Sequence, residues 1–443
     1  MTGISFIQDL AIIMLVAGVA GWLFQRFGLS VIVGYLIAGM LVGPASGLLP
    51  LIEDVENIQT LSQVGLIFLM FSIGLNLSIR RLRRLGVSIL VAAGVGALII
   101  FNTTRLIAVL FGMTEVQGLF FAATLIVSSS VVISKILYDL GVAHRRSGQL
   151  ALGVTALEDV LSILVLTFLI SYVGVGETSL PVLETFGLFG AFVIFLVITG
   201  LLLVPRYLRL LTRKASMESQ TLLVAALLFS LALLSHHVGY PMMLGAFLLG
   251  VIVAETPERG QVERSFLGLR HLFGTVFFVA VGMMIDIRSL FEIWPMILLI
   301  SALTIAGRFL ISAFSLMLAG NTTRDSVRAG LTLTPLGEFS FVIAQAGITA
   351  AVLPDEFFRL IVGVSVVTIL VCPFLIRHSG KISRFFQSVE PKMVTNGIGV
   401  YHRFLTRVGT IGAGSRFWVI SRRRFIQIGI GIAFITGLLL VGE

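Results

Sequence analysis

Residues 156–160 read Ala-Leu-Glu-Asp-Val, inside the otherwise apolar run LALGVTALEDVLSILVLTFLI. Most of the chain's 22 acidic residues lie in connectors or at helix ends, but Glu158, Asp159 and Glu338 do not. A charge at the centre of a bilayer costs about 2.5–3.5 kcal/mol on insertion scales, so each of the three is a candidate functional group. Glu158 and Asp159 are neighbours, about 100° apart on a helix. They can flank one cavity but cannot point the same way. Two close carboxylates in a poorly solvated site repel each other. A proton on one of them relieves the repulsion, and so does a small hard cation. Competition between proton and cation for one carboxylate is the simplest physical basis of cation/proton exchange. The candidate ligand hydroxyls are Ser128, Ser129 and Ser130, in LIVSSSVVISK, and Thr155, on the helix of the acid pair.

The deep basic residues are Arg308, Arg105 and Lys135. A guanidinium stays protonated in proteins, so Arg308 cannot be the proton carrier. Its expected role is to pair with Glu158 or Glu338, or to balance charge when a cation leaves. Glu158 has a structural alternative, an ion pair with Arg308 or Lys135, because buried charges are usually paired. Glu338 directly follows Gly337 and either pairs with Arg308 or neutralises exposed helix N-termini. Lys135 and Arg105 sit close enough to helix ends to snorkel.

The elements that must position these groups follow from composition. The chain has 443 residues, 57% hydrophobic and 12% charged, against about 25% charged in a soluble domain. That places it among polytopic all-α membrane proteins. Runs long enough to span a bilayer fall near 6–26, 29–45, 57–78, 86–112, 116–139, 147–172, 182–204, 219–237, 240–255, 266–286, 293–319, 326–351 and 356–377. The first lacks a basic leader and carries Asp9, so it reads as a spanning helix and not a cleaved signal. The net charge of +9 is concentrated in alternate connectors, such as Arg80, Arg81, Arg83 and Arg84, or Arg206, Arg209, Arg213 and Lys214. By the positive-inside rule these are cytoplasmic, and the N-terminus lies outside. The same distribution argues against nucleic-acid binding. Cys372 is the sole cysteine, so neither an intrachain disulfide nor a cysteine metal site can form. GTIGAGS (409–415) lacks the full dinucleotide fingerprint and follows no strand. His236 and His237 read as a solvated helix end. Trp22 and Trp294 read as interface anchors.

Two runs invite interruption. Three serines in mid-membrane can satisfy backbone groups freed by a break. In LTLTPLGEFSF, Thr332, Thr334, Pro335 and Gly337 disfavour a continuous helix. The two runs are seven crossings apart and therefore traverse the membrane in opposite directions. Paired interrupted helices in inverted halves point to a secondary-transporter site near the midplane.

Six stretches occur in an order that resembles one family: VIVGYLIAGMLVGP (31–44), LSQVGLIFLMFSIGLNL (61–77), SSSVVISKIL (128–137), MLGAFLLGVIVAE (243–255), FFVAVGMMID (277–286) and GEFSFVIA (337–344). Together they resemble the Kef-type monovalent cation:proton antiporters, which share the fold of the NhaA and NapA sodium/proton antiporters. The resemblance covers about residues 5–377. It implies a homodimer of thirteen transmembrane helices with inverted repeats and two broken crossing helices. It also implies a dimer domain from helices 1–3 (1–85) and 8–10 (219–290), and a linker helix 7 (173–218). Helices 4–6 (86–172) and 11–13 (291–377) would form the ion-carrying core, moving as an elevator. The family's acidic position falls on Asp159, and its helix-11 lysine position on Arg308. Relatives with arginine there tend to be electroneutral. Where Kef proteins carry Gln-Asp and NapA-like members Asp-Asp, this chain carries Glu-Asp. Na+ or K+ and H+ would be substrates in a plasma (inner) membrane, among its lipids, with no cofactor. The rival expectation is a Kef-like potassium channel or gated efflux pathway without obligatory coupling; a third is an ion-binding membrane sensor. Residues 378–443 form a basic tail too short for the Kef nucleotide-binding regulatory domain. Its apolar segment 425–442 reads as a fourteenth helix, as an element on the inner surface, or as a lead into a further domain.

Overall fold

In a computed structural model, residues 3–27, 31–44, 51–52, 55–76, 79–174, 182–212, 217–285 and 287–389 are described. The apolar segment 425–442 and the glycine-rich 409–415 lie outside them. The described residues are helical apart from short connectors and one isolated bridge. Eight helices are long and apolar enough to cross a membrane: 7–26, 88–110, 146–170, 190–207, 218–237, 259–283, 294–318 and 356–388. Four shorter apolar helices accompany them, at 31–42, 60–75, 115–126 and 242–254.

The chain divides into two compact units. The first holds α1 (Gly3–Arg26), α2 (Val31–Val42), α3 (Val55–Asn76), α8 (Val182–Thr212), α9 (Met217–His237), α10 (Met242–Ala254), α11 (Arg259–Met283) and α12 (Ile287–Glu292). Its centre is built by close helix approach. A Cβ on Gly39 of α2 would lie 2.0 Å from the Val279 carbonyl oxygen of α11, and one on Gly282 would lie 2.2 Å from that of Leu36. The pair α3 and α10 repeats the arrangement. A Cβ on Gly74 would lie 2.3 Å from the Phe247 oxygen, and one on Gly250 2.2 Å from that of Phe71. Small residues that let backbones touch replace the hydrophobic drive that lipid does not supply. Stacked rings of Phe68 and Phe273, 4.7 Å apart, add to the α3–α11 contact.

The second unit holds α4 (Ile79–Leu110), α5 (Glu115–Ile126), α6 (Ser130–Asp139), α7 (Arg146–Gly174), α13 (Trp294–Leu318), α14 (Thr323–Thr332), α15 (Glu338–Thr349) and α16 (Asp355–Val389). α13 shows how it is turned inside out relative to a soluble domain. Ser301, Thr304, Arg308, Ser312 and Ser315 are buried on one face, while Leu299, Leu303, Leu310 and Phe314 are exposed on the other. Two runs that the sequence marks as interruptible are interrupted. The first stops at Ile126 and restarts at Ser130; the second stops at Thr332 and restarts at Glu338. Pro335 offers no amide to continue a helix. Ser129 caps α6 by accepting from Val132 N, and a serine oxygen at this position satisfies an otherwise orphaned donor.

Candidate functional site

The two interruptions meet. Ser128 and Leu336 form an antiparallel bridge. Ser129 N donates to the Pro335 oxygen at 3.0 Å, and Gly337 N donates to the Val127 oxygen at 3.1 Å. A Cβ on Gly337 would lie 2.8 Å from the Ser128 oxygen, so only glycine permits this approach. Each break thus supplies hydrogen-bond partners for the backbone that the other has freed.

The next helix in each half then clasps the bridge residue in the same way. Thr155 Oγ1 of α7 donates to the Ser128 oxygen at 3.2 Å, and Glu158 Oε2 accepts from Ser128 N at 2.9 Å and from Ser128 Oγ at 2.5 Å. On α16, Ser365 Oγ donates to the Leu336 oxygen at 3.4 Å, and Thr368 Oγ1 accepts from Leu336 N at 3.2 Å. Both clasps use positions i and i+3, which share a helix face. Glu158 therefore occupies the place that Thr368 fills with a neutral hydroxyl. Asp159 has Ile369 as its counterpart, a buried apolar side chain.

Among the described residues, five acidic or basic side chains are buried: Asp9, Glu158, Asp159, Arg308 and Glu338. All but Asp9 gather around the Ser128–Leu336 bridge. The Arg308 guanidinium donates Nε to the Leu333 oxygen at 2.9 Å, Nη1 to the Leu125 oxygen, and Nη2 to Glu158 Oε2 at 3.1 Å. Leu125 and Leu333 lie at the C-terminal ends of α5 and α14, where carbonyls lack intrahelical donors and the helix dipole is negative. Arg308 neutralises both ends and pairs with Glu158. Glu338 begins α15, where a carboxylate meets the positive end of a helix. Its Oε2 accepts from Ser129 Oγ at 3.3 Å.

Asp159 is placed differently from Glu158. It is 4% exposed, and its Oδ1 meets no hydrogen-bond donor among the described residues. Ser130 is the hydroxyl beside its carboxylate, and its charged neighbours are the acids Glu338 and Glu158. Ser128, Ser129, Ser130, Thr155, Glu158, Asp159, Arg308 and Glu338 thus come together. Lys135 lies half-buried on α6, past this cluster along the helix. Sequence reasoning missed Thr368, Ser365 and Ser340, the last donating to the Thr124 oxygen at 2.5 Å. The signal was present as T-x-x-E at 155–158 and S-x-x-T at 365–368, polar pairs at one-turn spacing.

Residues 11–379 match the model of the family described as "Sodium/hydrogen exchanger, transmembrane". The chain belongs to this family. Its relatives include the Na(+)/H(+)-K(+) antiporter GerN of Bacillus cereus, 28% identical over 85% of this chain and 96% of GerN. The K(+)/H(+) antiporter subunit KhtU of Bacillus subtilis is 30% identical over 76% of this chain and 84% of KhtU. The K(+) efflux antiporter 5 of Arabidopsis thaliana is 27% identical over 87% of this chain but only 69% of its own length. Among solved structures, the sodium proton antiporter MjNhaP1 of Methanocaldococcus jannaschii matches with a TM-score of 0.68 at 17% identity, over 86% of this chain and 99% of that one. That likeness is one of fold. The family and its antiporter relatives agree with the chemistry read from the buried carboxylates.

Proposed function

We propose that this chain exchanges a monovalent cation, Na+ or K+, for a proton, with the two competing for Asp159. The observation that carries this reading is the asymmetry of the acid pair. Glu158 accepts from Arg308 and from Ser128, so its charge is held by fixed donors. Asp159 is equally buried but keeps an oxygen without a donor. A buried carboxylate in that position needs a proton or a cation. Ser128, Ser129, Ser130 and Thr155 are the nearby hydroxyls for completing a cation shell, with Glu158 as a second carboxylate. Arg308, Glu338 and Lys135 balance charge.

Exchange is then one for one. Arg308 keeps its charge at all working pH values, and Glu158 is pinned by it. A single group changes occupancy, so one cation replaces one proton and turnover moves no net charge. The helices form thirteen crossings, with α5–α6 and α14–α15 each counted once, in an inverted repeat. The unit of α4–α7 and α13–α16 carries the ion as an elevator, while α1–α3 and α9–α11 hold two copies together as a homodimer, with α8 linking the two parts. The protein lies in a plasma membrane with its N-terminus outside.

The test is proton flux in proteoliposomes, read by a pH-sensitive dye on addition of Na+, K+ or Li+. Cation-driven proton movement by the wild type and none by Asp159→Asn, with the purified variant still folded, is the expected outcome. Retained exchange in Asp159→Asn would overturn the site. Cation flux without proton movement would make the chain an uncoupled pathway instead.

A further inference from the structure

A cavity of 610 Å³ opens between α14 and the C-terminal part of α16, lined by Arg324, Arg328, Arg377, Gly380, Lys381, Arg384 and Gln387. Five of these seven are cationic. None of the five lies within 4.0 Å of a carboxylate among the described residues, where the ion pairs are Arg259–Glu263, Arg308–Glu158 and Arg359–Glu356. Arg328 is a half-buried residue of the lining. Its Nε is buried without a hydrogen-bond partner, and its Nη2 lies 3.5 Å from where a Cβ on residue 380 would stand. The charges it faces are Arg324, Arg145 and Arg384, which repel it, and Asp325, which attracts it. The Asp325 carboxylate also accepts from Thr322 Oγ1 at 3.0 Å, at the start of α14. Surface cations normally spread apart or pair. Here they converge on one space, with Gly380 on its wall.

We infer that this cavity binds a phosphate-bearing anion, the headgroup of an anionic membrane lipid. Guanidinium groups offer paired donors to phosphate oxygens, and basic pockets between membrane helices bind such headgroups. The lipid source is argued from α16 itself. Phe374 and Phe385 are exposed on this helix. Phe374 precedes Arg377 by three residues and Phe385 follows Lys381 by four, so each shares a face with a cation. A headgroup in the cavity would have an apolar strip beside it for its acyl chains. The site is separate from the carboxylates of the crossing and does not depend on which ion is transported.

The experiment uses the purified full chain in a neutral detergent, with thermal unfolding and native mass spectrometry as readouts. Phosphatidylglycerol, phosphatidylcholine and inorganic phosphate are titrated separately. Phosphatidylglycerol is expected to raise Tm and to remain bound, with phosphatidylcholine doing neither. Lys381→Gln/Arg384→Gln is expected to weaken phosphatidylglycerol binding by about tenfold or more. Gly380→Leu, which alters no charge, weakens it too, while Arg206→Gln, in the other unit, leaves it unchanged. Equal binding of the two lipids would overturn the proposal. So would equal losses in Arg206→Gln and in the double variant, since net charge alone would then explain the binding. A full effect from inorganic phosphate alone would keep the anion site but overturn the lipid as its source.

Discussion

Arg308 Nη2 stands 3.1 Å from Glu158 Oε2, with both side chains buried. The next residue, Asp159, is buried as deeply and has no such partner for Oδ1. One guanidinium thus gives two adjacent carboxylates different surroundings, Glu158 paired and Asp159 with an oxygen left unbonded.

Glu158→Gln leaves Arg308 buried without its counter-charge. Breaking a buried pair from one side costs roughly 3–5 kcal/mol. The double variant Glu158→Gln/Arg308→Met removes both charges and is expected to recover a large part of that loss. Thermal unfolding of the two singles and the double forms a cycle. A double variant as unstable as the sum of the singles would contradict the pairing.

If proton and cation share Asp159, acidification raises the cation concentration needed for half-maximal exchange and leaves the rate at saturating cation unchanged. Initial rates of exchange in proteoliposomes, measured over a matrix of pH and Na+ or K+, provide the check. A fall in maximal rate at constant half-saturation would mean that the two ions use different groups.

One-for-one exchange generates no membrane potential. In proteoliposomes loaded with a potential-sensitive dye, turnover is expected to give no signal, and valinomycin with K+ clamping the voltage is expected to leave the rate unaltered. A potential that grows with turnover would show that Glu158 or Glu338 also changes its proton.

Thr368→Val deletes the hydroxyl that accepts from Leu336 N. An orphaned buried amide costs about 1–3 kcal/mol, so Tm is expected to fall. Exchange is expected to persist in the folded fraction, because Thr368 bears no charge. Loss of exchange without loss of stability would give Thr368 a role in transport.

Gly74→Leu forces a side chain into the Phe247 carbonyl. Overpacking of this kind typically costs about 1–3 kcal/mol. Gly94→Ala on α4 has nothing within 4 Å of its new Cβ and is expected to be neutral to within about 1 kcal/mol. Thermal melts of the two variants side by side distinguish a packing role from a general intolerance of glycine replacement.

Much of this site was legible in the sequence because charges and helix breakers stand out in apolar runs. Glu158, Asp159, Glu338 and Arg308 were identifiable as misplaced in lipid, and SSS and TPLG as interruptions. The partner of Arg308 was not legible. Two acids were available, and the choice of Glu158 depends on which side chain the bridge at Ser128 holds in place. Thr368 and Ser365 were illegible for a related reason: hydroxyls are ordinary in membrane helices, and their meaning comes from the bonds to Leu336. The reach of α16 to Val389 also exceeds its apolar run. Beyond Ile376 it is charged, and its hydrophobic face alone would not have marked where it ends.

The bridge between Ser128 and Leu336 has a consequence for how the protein is made. Ser129 and Glu338, joined across it, are 209 residues apart in the chain. A ribosome delivers the first interruption long before its partner exists. Until the second one is inserted, Ser128 can bond Thr155 and Glu158 of its own half, but Ser129 N and the Val127 oxygen lack the partners that Pro335 and Gly337 bring. Synthesis halted between the two breaks would therefore leave two backbone groups, Ser129 N and the Val127 oxygen, without their partners.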